Sequence, residues 1–118
     1  MAAPNIVNVT TITAKTAVVA LTTSLTSLLT NSSASNTVLK INSITYANYT
    51  ASPVTGTATI LRSATSYYIV GSVSVPANST LIVTGKDTAF YLEEGDAIQG
   101  SAASNSAMSA IISYEIIS

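Results

Sequence analysis

The chain has 118 residues, enough for one domain with its own core and few to spare for a second. Only 8% of them are charged, 47% are apolar, the net charge is −1, and neither cysteine nor histidine occurs. These counts exclude disulfides, thiolate metal sites, Ser-His-Asp and Cys-His catalysis and imidazole acid/base chemistry, and the scattered Lys15, Lys40, Arg62 and Lys86 form no basic cluster for nucleic acid or anionic lipid.

In chain order, the opening MAAPNIVNV lacks a basic region followed by an apolar stretch and does not read as a secretory signal. The expectation is synthesis in a host cytoplasm and release by lysis. A first strand is predicted over Ile6 to Thr13, with Ile6, Val7 and Val9 flanked by Asn and Thr. Residues 1–14 then read either as an edge strand or as an arm exchanged between subunits by strand addition. Ala17 to Leu29 is too short and too rich in Thr to span a bilayer. Ala17 to Leu21 is a strand candidate, yet Leu21, Leu25, Leu28 and Leu29 recur at helical spacing, so a short helix is the chief alternative. Thr22, Thr23, Thr26 and Thr30 weaken that helix.

From Thr37 to Tyr49 the apolar phase shifts from Leu39 and Ile41 to Ile44 and Tyr46, which predicts a bulge near Asn42 and Ser43. Thr57 to Arg62 is the next strand. Beyond it, odd positions Tyr67, Ile69, Gly71, Val73 and Val75 oppose Ser66, Ser72 and Ser74, predicting one buried side. Further strands follow at Thr80 to Thr84, Thr88 to Leu92 and Asp96 to Ala102. Near the C-terminus a final strand is predicted, in which Met108, Ala110, Ile112, Tyr114 and Ile116 share a face opposite Ser109, Ser113 and Glu115. Turn residues separate the strands at 31–36, Ser52-Pro53, Pro76-Ala77-Asn78, Gly85-Lys86-Asp87 and Glu94-Gly95-Asp96. Short, regularly spaced strands of this kind predict an all-β, single-domain antiparallel β-sandwich over 1–118, jelly-roll-like.

Acidic chemistry is concentrated in one place, since Asp87, Glu93, Glu94 and Asp96 lie within ten residues of one another. A glycosidase-type pair needs two carboxyls facing one cleft, whereas adjacent Glu93 and Glu94 should point apart. The favoured reading is a solvated acidic hairpin, with a calcium site at 93–96 as the sharper alternative. Lys86 beside Asp87 reads as a turn ion pair. The Asn-x-Ser/Thr triplets at Asn8, Asn31, Asn48 and Asn78 are largely what abundant Ser and Thr supply by chance. Isolated glycines form no phosphate-cradling loop, and no cofactor is expected. Tyr46, Tyr49, Tyr67, Tyr68, Tyr91 and Tyr114 either form a carbohydrate-stacking platform or, as favoured, sit with buried rings at a core edge or interface.

The strings VLKINSITYANYT from Val38, SVPANSTLIVTGKDTAFYLEEGDAIQGSA from Ser74 and the closing ISYEIIS together resemble small virion structural proteins of tailed marine and cyanobacterial phages. Ile116 stands where that pattern has a second acid. The resemblance implies a β-sandwich or jelly-roll subunit of a capsid or tail, often a symmetric oligomer, and the L-x-x-G-D stretch at 92–96 is similar to a hairpin-closing turn of trimeric jelly-roll heads. Together with a surface nearly free of charge, it leads to the expectation of a non-enzymatic capsid decoration or cement protein. Its partners would be the major capsid protein, other virion proteins and its own copies, a trimer being favoured. The interface candidates are Ile6, Val7, Val9, Tyr46, Tyr49, Tyr67, Tyr68 and Tyr91. A tail, collar or fibre component and a glycan-binding adhesin are the alternatives.

Overall fold

The computed structural model describes residues 10–118. Val, Ile, Thr and Tyr, whose side chains suit a pleated surface, build nine strands: β1 Ile12–Ala20, β2 Thr26–Thr30, β3 Val38–Asn48, β4 Val54–Arg62, β5 Thr65–Val75, β6 Ser79–Thr84, β7 Phe90–Leu92, β8 Ala97–Ala102 and β9 Met108–Ile117. One sheet runs β1-β9-β3-β6, with β7 lying beside β3 next to β6; the other runs β2-β8-β4-β5. Every pairing is antiparallel.

The connectivity is that of one long hairpin wrapped into a barrel-like sandwich. β4 pairs β5 at its closed end, then β3 pairs β6 and β7, β2 pairs β8, and β1 pairs β9, successive pairs falling in alternate sheets. This is the jelly-roll arrangement. The core between the sheets contains Leu21, Leu39, Ile41, Ile44, Tyr46, Leu92, Ile98, Met108, Ala110 and Ile112, with Val54, Ala58 and Val75 at the β4–β5 side. Tyr46 donates its hydroxyl to the Thr57 carbonyl at 3.0 Å. A side chain at Gly100 would collide with the Tyr46 hydroxyl and with Leu28, and one at Gly56 would press on the Tyr46 ring at 3.0 Å. Gly100 is therefore a packing requirement.

Two buried asparagines tie loops to the sheets. Asn31 Nδ2 donates to the carbonyls of Thr37 and Leu92, both at 3.0 Å, and its Oδ1 accepts from Ser35 Oγ and Thr37 Oγ1. Asn48 Nδ2 donates to Ser52 and Val75 carbonyls, while its Oδ1 accepts from the Thr50 amide and hydroxyl. Two of the Asn-x-Ser/Thr triplets are thus loop anchors, their amides fully used.

The predicted bulge in β3 is present: Ile41 pairs with Tyr114 and Ser43 with Ser113, leaving Asn42 as the extra residue. Met108, Ala110 and Ile112 face the core as the C-terminal periodicity requires, with Tyr114 and Ile116 partly buried beside them. Residues 17–29 are extended, and the helical alternative falls: β1 runs to Ala20 and β2 starts at Thr26, with Leu21 just past β1 and Leu28 in the middle of β2 both buried in the core. Three expectations need correction. Of the candidate Ile6 to Thr13, residues 6–9 lie outside the described residues; Ile12 and Thr13 are continuous with Ala17 to Ala20 in the single strand β1, and 12–14 belong to it as an edge strand paired within the chain. The odd-numbered face of 67–75 does not hold, since register shifts against β4 put Ile69 and the Gly71-Ser72 step out of phase, and Ser72 has φ 49°. Each extra residue turns the following side chains to the other face. Finally, Glu94-Gly95-Asp96 closes no hairpin: β7 belongs to one sheet and β8 to the other, so this turn carries the chain across the sandwich.

Candidate functional site

The acidic turn is organised by Arg62, the last residue of β4. Its Nε donates to both Asp96 oxygens at 3.0 and 3.1 Å, and its Nη2 lies 2.5 Å from Asp96 Oδ2 and 3.0 Å from Glu93 Oε2. Hydrogen bonding to Asp96 raises the Arg62 pKa, outweighing the opposing effect of desolvation. Asp96 is buried rather than solvated and also accepts the Glu93 amide at 2.9 Å. Glu94 turns away, accepting the Asn36 amide at 2.7 Å. The left-handed φ of 87° at Gly95 makes the tight corner possible. Adjacent Glu93 and Glu94 thus point to separate partners, and Arg62 supplies the positive charge that a cation would bring. Among the described residues, no group of three or more acidic, His or Cys side chains is placed to hold a metal ion. Lys86 and Asp87 make no ion pair among the described residues; they lie in a 3₁₀ turn, Lys86–Thr88, before β7.

A groove of about 590 Å³ adjoins this ion pair, lined by Ile60, Arg62, Tyr67, Phe90, Tyr91 and Glu93. Phe90 and Tyr91 come to it from the three-residue strand β7, Ile60, Arg62 and Tyr67 from the β4–β5 hairpin. Tyr67 sits directly opposite Ile60 in the β4–β5 register and therefore shares its face, but little of the opposite sheet covers it.

The outer faces of the two sheets differ in chemistry. Across the first, Val18 on β1, Ile111 on β9, Thr45 on β3 and Ile82 on β6 are successive register partners. Val18, Ile111 and Ile82 are 73%, 43% and 67% exposed. The neighbouring rows are Ala20, Ser109, Ala47 and Thr80 on one side and Thr16, Ser113 and Ser43 on the other, so none of the three carries a charge. Charge returns only with Glu115 opposite Lys40. On the second sheet the corresponding row is Ser27, Gln99, Thr59 and Tyr68. There Gln99 Oε1 accepts from Thr59 Oγ1 at 3.2 Å and Ser66 Oγ at 2.7 Å, giving a polar, internally bonded face.

The interface candidates are dispersed by this arrangement. Ile6, Val7 and Val9 lie outside the described residues. Tyr46 is a correction: its position in the second apolar phase of β3 puts it wholly in the core, and burial pushes its hydroxyl pKa well above the usual tyrosine value. Tyr49, Tyr67, Tyr68 and Tyr91 are exposed. Of these, Tyr67 and Tyr91 meet in the groove, whereas Tyr68 stands on the opposite face of β5 and Tyr49 follows the end of β3. Val18, Ile82 and Ile111 escaped the sequence reading. Ile111 was detectable as the apolar member of an otherwise polar face with Ser109, Ser113 and Glu115; the alignment of the three needs the register. In comparisons with known proteins, no family model and no curated protein matches the chain.

Proposed function

We propose that this chain is a non-enzymatic structural subunit of a virion, a capsid decoration or cement protein that assembles as a trimer and lies against the major capsid shell. The observation that carries the reading is the uncharged part of the outer face, three rows wide, crossed by Val18, Ile111 and Ile82. Fully burying such a side chain contributes about 1.5–3 kcal/mol, so one copy gains modestly and many copies on a symmetric lattice gain through multivalency. A face without charges also avoids the desolvation cost of docking ionic groups. The choice of a virion rests on the resemblance of the 38–50, 74–102 and 112–118 strings, and the jelly roll is a fold used in capsids among other places.

The test is a Val18→Asp/Ile82→Asp double variant supplied during phage growth. Both side chains are exposed, so the isolated variant should melt close to the parent. Its copy number on purified heads should fall to background, against hundreds for the parent on the order expected of a lattice-wide protein. Full occupancy by the variant, or a parent found only on tails, overturns the assignment.

A further inference from the structure

We propose that the groove between β5 and β7 binds a neutral oligosaccharide, with pyranose rings stacked on Tyr67 and Tyr91 and hydroxyls met by Arg62 and Glu93. The chain's one phenylalanine and two of its six tyrosines converge here. Tyr67 and Tyr91 are 58% and 41% exposed, presenting ring surface that gains by being covered. The negative face of an aromatic ring attracts the partly positive C–H hydrogens on one side of a pyranose. The volume of about 590 Å³ lies in the roughly 300–1,000 Å³ range of small-ligand sites.

Polar groups suited to hydroxyls border the rings. Arg62 spends its Nε and Nη2 on Asp96 and Glu93, while Nη1 has no protein acceptor among the described residues. Glu93 uses Oε2 for Arg62, and Oε1 has no donor among the described residues. A donor and an acceptor fixed on one ion pair match a vicinal diol, whose hydroxyls both give and accept hydrogen bonds. Asp96 locks the guanidinium from behind, so the pair is pre-organised.

Charge selects among sugars. The guanidinium that lines the groove is already matched by Glu93 and Asp96, and the nearest other cation is Lys40, the register partner of Tyr91, so the lining offers uronic, sialic and sulfated saccharides no unpaired positive charge. A flat apolar protein surface would have to desolvate Arg62 and Glu93 without replacing their water, which hydroxyls do. This proposal does not rest on the virion reading: Tyr91 stands beside Lys40 at the far end of the outer face, while Val18, Ile111 and Ile82 do not line the groove.

The experiment titrates the full chain with maltotriose, cellotriose and tri-N-acetylchitotriose, with sialyllactose and trigalacturonate as acidic counterparts, following Tyr ring protons by NMR. At least one neutral trisaccharide should bind with Kd of order 1 mM or tighter and shift the Tyr67 and Tyr91 resonances. Tyr67→Ala and Tyr91→Ala should each weaken it about tenfold. Glu93→Gln tests the polar contact with the fold intact and should also weaken binding. Absence of binding by all three, binding unaffected in the Tyr67→Ala/Tyr91→Ala double variant, preference for the acidic sugars, or shielding of both rings by self-association each overturns the proposal.

Discussion

Tyr46 shows how one residue can be misjudged by type and settled by place. Tyrosines commonly keep the hydroxyl in water, yet this one lies in the core with its hydroxyl on the Thr57 carbonyl. Burial disfavours the phenolate and raises the folded-state pKa. The unfolded chain ionises near pH 10, so as pH rises past that value the unfolded state loses a proton that the folded state retains, and stability falls. The expected slope is about 1.4 kcal/mol per pH unit until the folded-state pKa is reached. In Tyr46→Phe this component should vanish from a denaturation series at pH 9 to 11, at a cost near neutrality of about 1 kcal/mol for the lost hydrogen bond. A variant with the same alkaline slope as the parent would contradict the assignment. Asn31 and Asn48 carry the same lesson: identical triplets would suit exposed acceptors, but only the fold reveals that their amides are consumed.

At the level of elements, β3 is the most demanding strand. It pairs with β9 along one edge and with β6 and β7 along the other, and the extra residue Asn42 lets Leu39 and Ile41, then Ile44 and Tyr46, all face inward. Deleting Asn42 would turn one half of the strand over, exposing either two or more core side chains or breaking the β9 register. The expectation is loss of cooperative melting, seen as disappearance of a sharp thermal transition; an ordinary transition within a few degrees of the parent's would show the bulge to be dispensable. The edges are handled differently. β5 is bent by its register shifts, and β1 carries Lys15 at the position opposite Tyr114, on the side facing the core. Bulges and inward-pointing charges both discourage edge-to-edge pairing. Under the proposed function, that leaves the outer face crossed by Val18, Ile111 and Ile82 as the broad surface for neighbours.

For the whole molecule, scarcity of charge sets the behaviour in salt. If neighbours are held through the Val18, Ile111 and Ile82 face, raising NaCl from low to high should leave self-association unchanged or strengthen it, because there is no ion pair to screen. Sedimentation at several salt concentrations measures this directly. A several-fold weakening at high salt would place the contact instead on the few charged groups, such as Lys40 and Glu115.

The β class, most strand positions, the β3 bulge and the inward face of the last strand were legible from the chain itself, because period-two burial and β-branched side chains act locally and leave their mark in consecutive residues. The absence of imidazole and thiol chemistry was equally plain. What needed the tertiary structure was every relation between distant residues. Arg62 meets Asp96 across 34 positions, Tyr67 and Tyr91 line one groove, and Val18, Ile111 and Ile82 align only through three successive strand pairings. Register is set by the summed packing of whole sheets, and one extra residue reverses the facing of all that follow; no local pattern in the chain contains that sum.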